Sequence, residues 1–261
     1  MTTPPSLPQL DVRIDGAVAT VELQRPPHNF FDIPMISGIA DAFEALEADP
    51  ACRAIVLCAE GKSFCAGADF NSDGAPVQAS ARAMNPLYFE AIRLFACTKP
   101  VVGAIHGAAV GGGLGLALVP DFRVTCPEAR FSANFNRLGF HPGFGLSVTL
   151  PRLVGAQQAA LLFYTGRRIG GEEALCIGLA DVLVPQDQVR AAALELAAEI
   201  AVSSPDAVQS TRATLRAGLV DAIRQAVARE SIEQNRQFKT EDFREGVRAM
   251  TERRAPRFTG R

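Results

Sequence analysis

Two glycine-containing turns in this sequence could present backbone N–H groups to an anion or to a developing oxyanion. The segment GAAVGGGLGLAL (107–118) has five glycines in nine residues and then continues as a helix would. A helix N-terminus carries unpaired N–H groups and partial positive charge, and glycine lets a ligand oxygen approach the backbone closely. The segment GKSFCAGADF (61–70) offers a second turn of this kind after a predicted strand. One donor from each turn would make an oxyanion hole.

The glycine run does not match the familiar phosphate or nucleophile motifs. A GxGxxG motif would need glycine at position 116, which is Leu116, and no GK[ST] follows as in a P-loop. A GxSxG nucleophile elbow is absent from the sequence as well. Tight packing of the helix is therefore the alternative explanation of these glycines, and Gly115 lies well inside the predicted helix.

The elements that must position these turns alternate between strand and helix. The stretch 10–23 alternates apolar and polar residues around Asp15-Gly16, which predicts a β-hairpin. Asp32 is expected to cap a helix with one apolar face. Short apolar stretches predict buried strands, and the alternation predicts an α/β fold with a largely covered sheet. Helical patterns dominate from 186 to 254. The predicted strands are 53–59, 100–107, 122–126 and 180–185.

Composition excludes some classes of function. The 261 residues carry a net charge of −2 with no basic cluster, which argues against nucleic acid as a partner. The stretch 101–120 has no charged residue but six glycines, so we interpret it as a buried strand leading into a buried helix, not as a membrane span. The six cysteines lack metal-ligand spacing and predict reduced, mostly buried thiols and no metal site. The N-terminus has neither signal- nor transit-peptide character, so a cytoplasmic location is expected.

Several segments together resemble one family over nearly the whole chain. They are VELQRPPHNFFD, FCAGADF, KPVVGAIHGAAVGGGLGLALVPDFRV, RFSANFNRLGFHPGFG, TGRRIGGEEALCIGLADVLVP and EGVRAMTERRAPRF. The sequence resembles the crotonase family, also called the enoyl-CoA hydratase/isomerase superfamily. The resemblance implies a spiral of ββα turns with a helical C-terminal trimerisation region. It implies an acyl-CoA-binding core over 1–195, an oligomerisation region over 196–261, and a homotrimer or a hexamer built as a dimer of trimers.

The same resemblance implies the ligand and its contacts. An acyl-CoA thioester is the expected ligand, with coenzyme A as part of the substrate and no tightly bound cofactor. The two oxyanion donors would be the backbone N–H groups of Ala68 and Gly112. The positions expected to contact coenzyme A are Arg25, His28, Ala66, Gly67, Asp69, Phe70, Met250 and Arg253.

The sequence departs from the family where proton transfer is expected. The hydratases that it resembles use two glutamates, and the matching positions here are Gly115 and Phe135. The nucleophilic aspartate of the dehalogenase branch and the second acid of the dienoyl isomerases would fall near Gly143. General acid–base catalysis needs a titratable group within hydrogen-bond reach of the reacting atom. Efficient hydration by two glutamates is therefore not expected.

His141, in GFHPGFG, is the candidate replacement base, because an unperturbed imidazole titrates near neutrality. The alternative is a loop histidine bonded to a backbone carbonyl. His106, before the glycines, and Asp69, after the first turn, are expected to brace their turns. Three hypotheses stay open: an enoyl-CoA hydratase/isomerase-type enzyme with a relocated base or a bound water, a non-catalytic acyl-CoA-binding protein, and a different enolate reaction such as decarboxylation.

Overall fold

The hairpin and the first helix form where the sequence predicts them. A computed structural model describes residues 9–68 and 84–261. In the hairpin, Leu10 pairs with Leu23, and Gly16 takes the left-handed φ of +58° that the tight turn requires. Asp32 caps the first helix, because its Oδ1 accepts a hydrogen bond of 3.0 Å from Met35 N–H. Both local predictions are confirmed.

Six strands form the larger sheet, in the order β1-β2-β3-β5-β7-β10. The pair β1–β2 is antiparallel and the other pairs are parallel. Every residue of β3 and β5 is buried, as expected for central strands covered on both faces. The strands are β1 (Leu10–Asp15), β2 (Val18–Leu23), β3 (Ala54–Ala59), β5 (Val101–Ile105), β7 (Phe122–Thr125) and β10 (Val182–Leu183).

A second sheet of four short strands has the order β4-β6-β8-β9. Three successive units each consist of a strand of the larger sheet, a strand of the second sheet and a helix. They are β3-β4-α2, β5-β6-α3 and β7-β8-α4, in which the helices are α2 (Pro86–Ala96), α3 (Gly112–Ala117) and α4 (Leu146–Thr165). This is the predicted repetition of ββα turns. The short strands are β4 (Ser63–Cys65), β6 (Ala108–Val110), β8 (Arg130–Ser132) and β9 (Arg168–Gly170).

Helices cover the sheets and make up the C-terminal part of the chain. Residue 195 lies inside α6, which packs on β3, β5 and β7, so the boundary expected there falls within a helix of the core. Two short 3-10 helices are Asn134–Leu138 and Gln186–Gln188. The α-helices are α1 (Ile33–Ala48), α2 (Pro86–Ala96), α3 (Gly112–Ala117), α4 (Leu146–Thr165), α5 (Gly171–Cys176), α6 (Val189–Val202), α7 (Pro205–Leu215), α8 (Leu219–Gln237) and α9 (Glu241–Thr251).

The uncharged stretch 101–120 contains β5, β6 and the short helix α3, and most of its residues are buried. This confirms its interpretation as core. Within the described part of the chain, no helix has the length and apolar character needed to cross a bilayer. Five of the six cysteines are buried and all six are free thiols, also as predicted.

Candidate active site

The two glycine-containing turns lie against each other because the strands that lead into them are neighbours. Strands β4 and β6 pair in parallel, with Cys65 opposite Ala109, so both turns leave the same edge of the second sheet. A methyl group built on Gly67 would lie 3.8 Å from the amide nitrogen of Gly112 and 2.9 Å from the carbonyl oxygen of Val110. We call the segments 66–68 and 111–113 the donor turns.

Two N–H groups of the donor turns are not used by the surrounding backbone. Ala68 forms a parallel bridge with Phe31, in which Phe31 N–H donates to the carbonyl of Gly67 at 2.9 Å. The N–H of Ala68 and that of Gly112, the first residue of α3, donate to no acceptor among the described residues. Both residues are half-buried. The two amides can therefore receive a ligand oxygen without breaking a described hydrogen bond.

The glycines at 112 and 113 are explained by close approach of other atoms. A methyl group on Gly113 would overlap the carbonyl oxygen of Cys65, which is backbone and cannot swing away. On Gly112 it would overlap the ring of Phe31, whose Cε1 atom would be 2.9 Å away. The donor turns thus need residues without a side chain in order to meet at all.

Gly115 has a different neighbour, the side chain of Phe144. A methyl group on Gly115 would lie 2.7 Å from Cβ and 2.8 Å from Cγ of Phe144. The Phe144 ring packs near those of Phe31 and Phe95, with centroid distances of 5.7 and 6.4 Å. An aromatic ring thus fills the space beside Gly115, the first of the two positions at which the resemblance predicts a glutamate.

Phe135, at the second expected glutamate position, is 6% exposed and lies in a 3-10 helix. Its ring packs edge-on against Phe140 at a centroid distance of 5.4 Å, and its Cζ would be 3.9 Å from a methyl group on Gly111. The first atom that such a methyl group would meet is the amide oxygen of Asn134, at 3.4 Å. Neither a phenyl ring nor a neutral amide can act as a general acid or base near neutral pH. We call Phe31, Phe135 and Phe144 the aromatic wall.

Gly143 is the third position at which the resemblance led us to look for an acid. The space that a side chain there would need holds the hydroxyl of Tyr88. A methyl group on Gly143 would overlap this hydroxyl and would lie 2.5 Å from Nε2 of Gln234. The hydroxyl donates to Oε1 of Gln234 at 2.8 Å. Burial raises the pKa of Tyr88 well above its usual value. Tyr88 is therefore neutral and hydrogen-bonded to Gln234.

A buried carboxylate supports the same segment from helix α8. Glu230 accepts hydrogen bonds from Gly145 N–H at 2.9 Å and from the Ser147 hydroxyl at 2.6 Å, and it also bonds Ser147 N–H. These groups form the first turn of α4, which has no side-chain cap of its own. Burial raises the pKa of Glu230, and the hydrogen bonds from Ser147 and Gly145 oppose this effect.

His141, the candidate base, is half-buried and held by α8 through its backbone. Its N–H donates to Gln237 Oε1 at 2.6 Å, and Gln234 Nε2 donates to its carbonyl at 2.9 Å. The ring Nδ1 lies 2.8 Å from the carbonyl of Pro142. A carbonyl oxygen only accepts, so Nδ1 carries the proton and Nε2 of the neutral ring keeps its lone pair. Among the described residues, no hydrogen bond joins this ring to either donor turn.

The residues expected at the nucleotide end lie in a closely bonded turn. Arg25 donates to Asp32 at 2.7 Å and to the carbonyl of Phe30 at 3.0 Å, and Nδ1 of His28 is 3.3 Å from the Ser63 hydroxyl. Ala66 N–H donates to the carbonyl of His28 at 2.9 Å, so this turn contacts the first donor turn directly.

The remaining predicted contacts lie apart from these turns. Met250 is 46% exposed near the end of α9, and the exposed Arg253 follows that helix with φ of +54°. Asp69 and Phe70 lie outside the described residues. His106 braces its turn, because its Nε2 is 2.9 Å from the carbonyl of Gly61. Cys65 is buried and its pKa is raised to about 12, so it is not a nucleophile.

Comparisons with known proteins agree on a single family. The pattern of the enoyl-CoA hydratase/isomerase family matches residues 13–261. The chain belongs to this family. It is 31% identical over 260 residues to a probable enoyl-CoA hydratase of Bacillus subtilis, covering 96% of this chain and 98% of that protein. It is 34% identical over 244 residues to a crotonyl-CoA hydratase of Syntrophomonas wolfei, covering 92% and 94%.

The fold agrees with that of solved members of the enoyl-CoA hydratase/isomerase family. An enoyl-CoA hydratase/isomerase from Pseudoalteromonas atlantica superposes with a TM-score of 0.87 at 29% identity, covering 96% of this chain and all of that one. An enoyl-CoA hydratase from Mycobacterium avium gives a TM-score of 0.83 at 28% identity, covering 96% and 98%. The predicted family and the crotonase-like fold are confirmed.

The sequence did not predict which residues fill the spaces beside Gly115 and Gly143 or support the segment that carries them. Phe144, Tyr88, Gln234 and Glu230 were not among the predicted site residues. One signal was available for Phe144, which stands between two glycines in HPGFG. No comparable signal marks Gln234 or Glu230, since both lie on a helix rich in polar residues whose buried face is decided by contacts with α2 and α4.

Proposed function

We propose that this protein binds an acyl-CoA thioester and stabilises its enolate with the N–H groups of Ala68 and Gly112. The observation that carries the proposal is the contact between the two donor turns, in which both N–H groups lack a described acceptor. Two such donors stabilise the negative charge that develops on a thioester oxygen, and a single donor contributes about 3 kcal/mol in comparable sites. Membership of a family whose relatives are named enoyl-CoA hydratases supports the ligand class.

Efficient hydration by two glutamates is not part of this proposal, because Gly115 and Phe135 cannot transfer protons. In the enolate step, the proton on the carbon next to the thioester carbonyl moves to a base, and the C–H electron pair is delocalised onto the thioester oxygen. We propose Nε2 of His141, directly or through a bound water, as the proton acceptor. The hydrogen bond from Nδ1 to Pro142 supports this choice, since it leaves the lone pair on Nε2.

A second candidate reaction is decarboxylation of a malonyl-type thioester, which the aromatic wall favours. The C–C bond to the carboxylate breaks, carbon dioxide leaves, and the electron pair forms the same enolate without a protein base. Apolar surroundings replace the hydration of the substrate carboxylate poorly, which promotes its loss. A protein that only binds acyl-CoA is the third possibility, and the same assays detect it as binding without any product.

For the remainder of the ligand we propose contacts of coenzyme A with both ends of the chain. Ala66 and Gly67 would approach the pantetheine and adenine, together with Asp69 and Phe70, which lie outside the described residues. Arg25 and His28 would approach the nucleotide. Met250 and Arg253 would reach the ligand of a neighbouring subunit in a homotrimer or hexamer. The exposed guanidinium of Arg253 suits a phosphate.

The test combines calorimetric binding with infrared spectroscopy of butyryl-CoA labelled with ¹³C at the thioester carbonyl. We expect binding and a carbonyl band at lower frequency than in buffer, because two N–H groups polarise the bond. Gly112→Ala should move the band back toward its position in buffer, since the added methyl group displaces the Phe31 ring. Gly170→Ala is the matched control, because its methyl group would meet nothing closer than 3.6 Å. Binding with an unshifted band would refute the oxyanion site.

Turnover is tested with a panel of enoyl-, dienoyl-, malonyl- and aryl-CoA thioesters. We expect poor hydration of crotonyl-CoA, and hydration at rates comparable with efficient hydratases would contradict the proposal. His141→Ala should abolish a turnover that needs a base while leaving thioester affinity nearly unchanged. Unchanged turnover in that variant would remove His141 from the mechanism, and turnover of the malonyl thioester alone would favour decarboxylation.

A further inference from the structure

We propose that Phe144 is a specificity-determining residue that limits the site to acyl groups unbranched at the carbon next to the thioester carbonyl. This inference rests on the proposed function, because it assumes a thioester oxygen at the N–H groups of Ala68 and Gly112. Tyr88 and Gln234 are its positioning residues. The proposal names a substrate class from the shape of the site beside the donor turns.

The Phe144 ring lies over the end of α3 that carries Gly112. Residues 112 and 115 are three apart and therefore share one face of the helix, about 4.5 Å apart along its axis. Side chains on a helix lean toward its N-terminus, so the space that a side chain at 115 would fill lies over the preceding turn. Phe144 fills that space, and Phe31 covers Gly112 beside it. The carbon next to a carbonyl bound at Gly112 would thus face two rings.

Phe144 keeps an uncommon backbone conformation that other residues must maintain. Its φ is +63°, a left-handed value that a bulky residue rarely adopts. The hydroxyl of Tyr88 on α2 lies in the space beside Gly143, next to Phe144 in sequence, and donates to Gln234 on α8. Gln234 in turn bonds the carbonyl of His141 on the same segment. Two helices that are distant in sequence therefore hold the ring where a proton-transferring side chain would otherwise project.

A ring held on both sides cannot yield to an additional methyl group. Phe144 is 1% exposed and Phe31 is 2% exposed, and both pack against other buried aromatic residues. Densely packed interiors respond to an added methyl group with displacement of neighbours, which lowers affinity. A branch next to the carbonyl would meet the aromatic wall, whereas a straight chain can leave the carbonyl in a direction away from it.

The experiment compares dissociation constants of butyryl-CoA and its branched isomer isobutyryl-CoA, by calorimetry. We expect the wild-type protein to bind butyryl-CoA about tenfold more tightly than isobutyryl-CoA, within the range by which pockets discriminate one methyl group. Phe144→Gly should bring the ratio of the two dissociation constants close to one. Glycine adopts the left-handed conformation of this position without strain. Adding Gly115→Ala to that variant should restore part of the ratio, because its methyl group fills the same space from the helix side.

Two further variants separate specificity from a general loss of packing. Phe43→Leu removes part of a buried ring in α1, at 1% exposure, and should keep the wild-type ratio. Tyr88→Phe deletes only the hydroxyl beside Gly143 and should give an intermediate ratio even if Phe144→Gly does not fold. Thermal unfolding followed by circular dichroism checks the fold of each variant.

The outcomes distinguish this inference from the proposed function. If the wild-type protein binds neither thioester, both are wrong. If it binds both thioesters with equal affinity, or if Phe144→Gly and Tyr88→Phe keep the wild-type ratio, the proposed function stands and the role of Phe144 is refuted. If Phe43→Leu changes the ratio as much as Phe144→Gly does, the role of Phe144 is refuted as well.

Discussion

Two positions of helix α3, Gly113 and Gly115, use glycine for opposite purposes. At Gly113 the missing side chain lets one backbone meet another, because a methyl group there would overlap the carbonyl of Cys65. At Gly115 the missing side chain makes room for the ring of Phe144. The first arrangement keeps unused N–H groups at the donor turns. The second puts an aromatic ring where relatives that hydrate enoyl-CoA are expected to have a carboxylate.

This difference shows which part of the chemistry depends on side chains. Every residue except proline has a backbone N–H group, so an oxyanion site persists as long as the turns keep their shape. Proton transfer needs particular side chains and is lost when they change. A member of this family can therefore keep its class of ligand while its reaction changes.

The strongest test of the comparison is Gly113→Ala at the donor turns. We expect the free energy of unfolding to fall by about 3 kcal/mol, because backbone atoms of Cys65 must move and overpacking is costly. Urea denaturation measures the change. Gly170→Ala, where a methyl group has space, should cost less than about 1 kcal/mol. Equal losses in both variants would show that close backbone approach is not what requires Gly113.

Tyr88→Phe tests the support of the aromatic wall. Removal of the hydroxyl leaves Gln234 Oε1 buried without that partner, so we expect a loss of about 1–3 kcal/mol. The matched control is Tyr164→Phe, since Tyr164 is 78% exposed and its hydroxyl remains hydrated in the wild type. A loss no larger than in the control would mean that this network does not stabilise the segment.

Gly115→Ala should have a smaller effect than Gly113→Ala, although both residues lie in the same helix. Displacing a side chain costs about 1–3 kcal/mol, whereas alanine gains about 1 kcal/mol over glycine inside a helix. The expected net loss is about 1 kcal/mol in urea denaturation. If Gly115→Ala proved as costly as Gly113→Ala, the distinction between these two glycines of α3 would be lost.

Glu230 gives the smallest expected effect, a dependence of stability on pH. Burial raises its pKa above the ordinary 4.5, so the folded protein binds the proton more tightly than the unfolded chain does. The contribution of the carboxyl is then fully present below pH 4.5 and is lost as the pH rises through the folded pKa. The melting temperature of the wild type relative to Glu230→Gln should therefore decrease as the pH rises from 4 toward 7.

Glu245 provides the internal control for this pH dependence, with the opposite sign. Arg254 and the N–H of Arg257 lower its pKa to about 2, so its contribution is present above the ordinary value of 4.5 and is lost as the pH falls toward 2. The melting-temperature difference between wild type and Glu245→Gln should shrink over that acid range. Equal signs for Glu230 and Glu245 would contradict the assigned directions.

Local features of the fold could be predicted because they depend on neighbours in sequence. The Asp15-Gly16 turn and the Asp32 cap involve residues within a few positions, and both form as expected. The three-residue strands β4, β6, β8 and β9 were not predicted as strands, because a pattern of alternation cannot be recognised over three residues. Their pairing is what brings the donor turns together.

The sequence by itself determined the family and showed that positions 115, 135 and 143 carry no ionisable side chain, because motifs and residue types can be read along the chain. Only the tertiary structure decided what fills those positions. Phe144 meets Gly115 and Tyr88 meets Gly143 across dozens of residues, and such contacts depend on how whole helices pack. The glycines of GAAVGGGLGLAL look alike in sequence, but three-dimensional packing separates those that keep the donor turns together from the one that admits an aromatic ring.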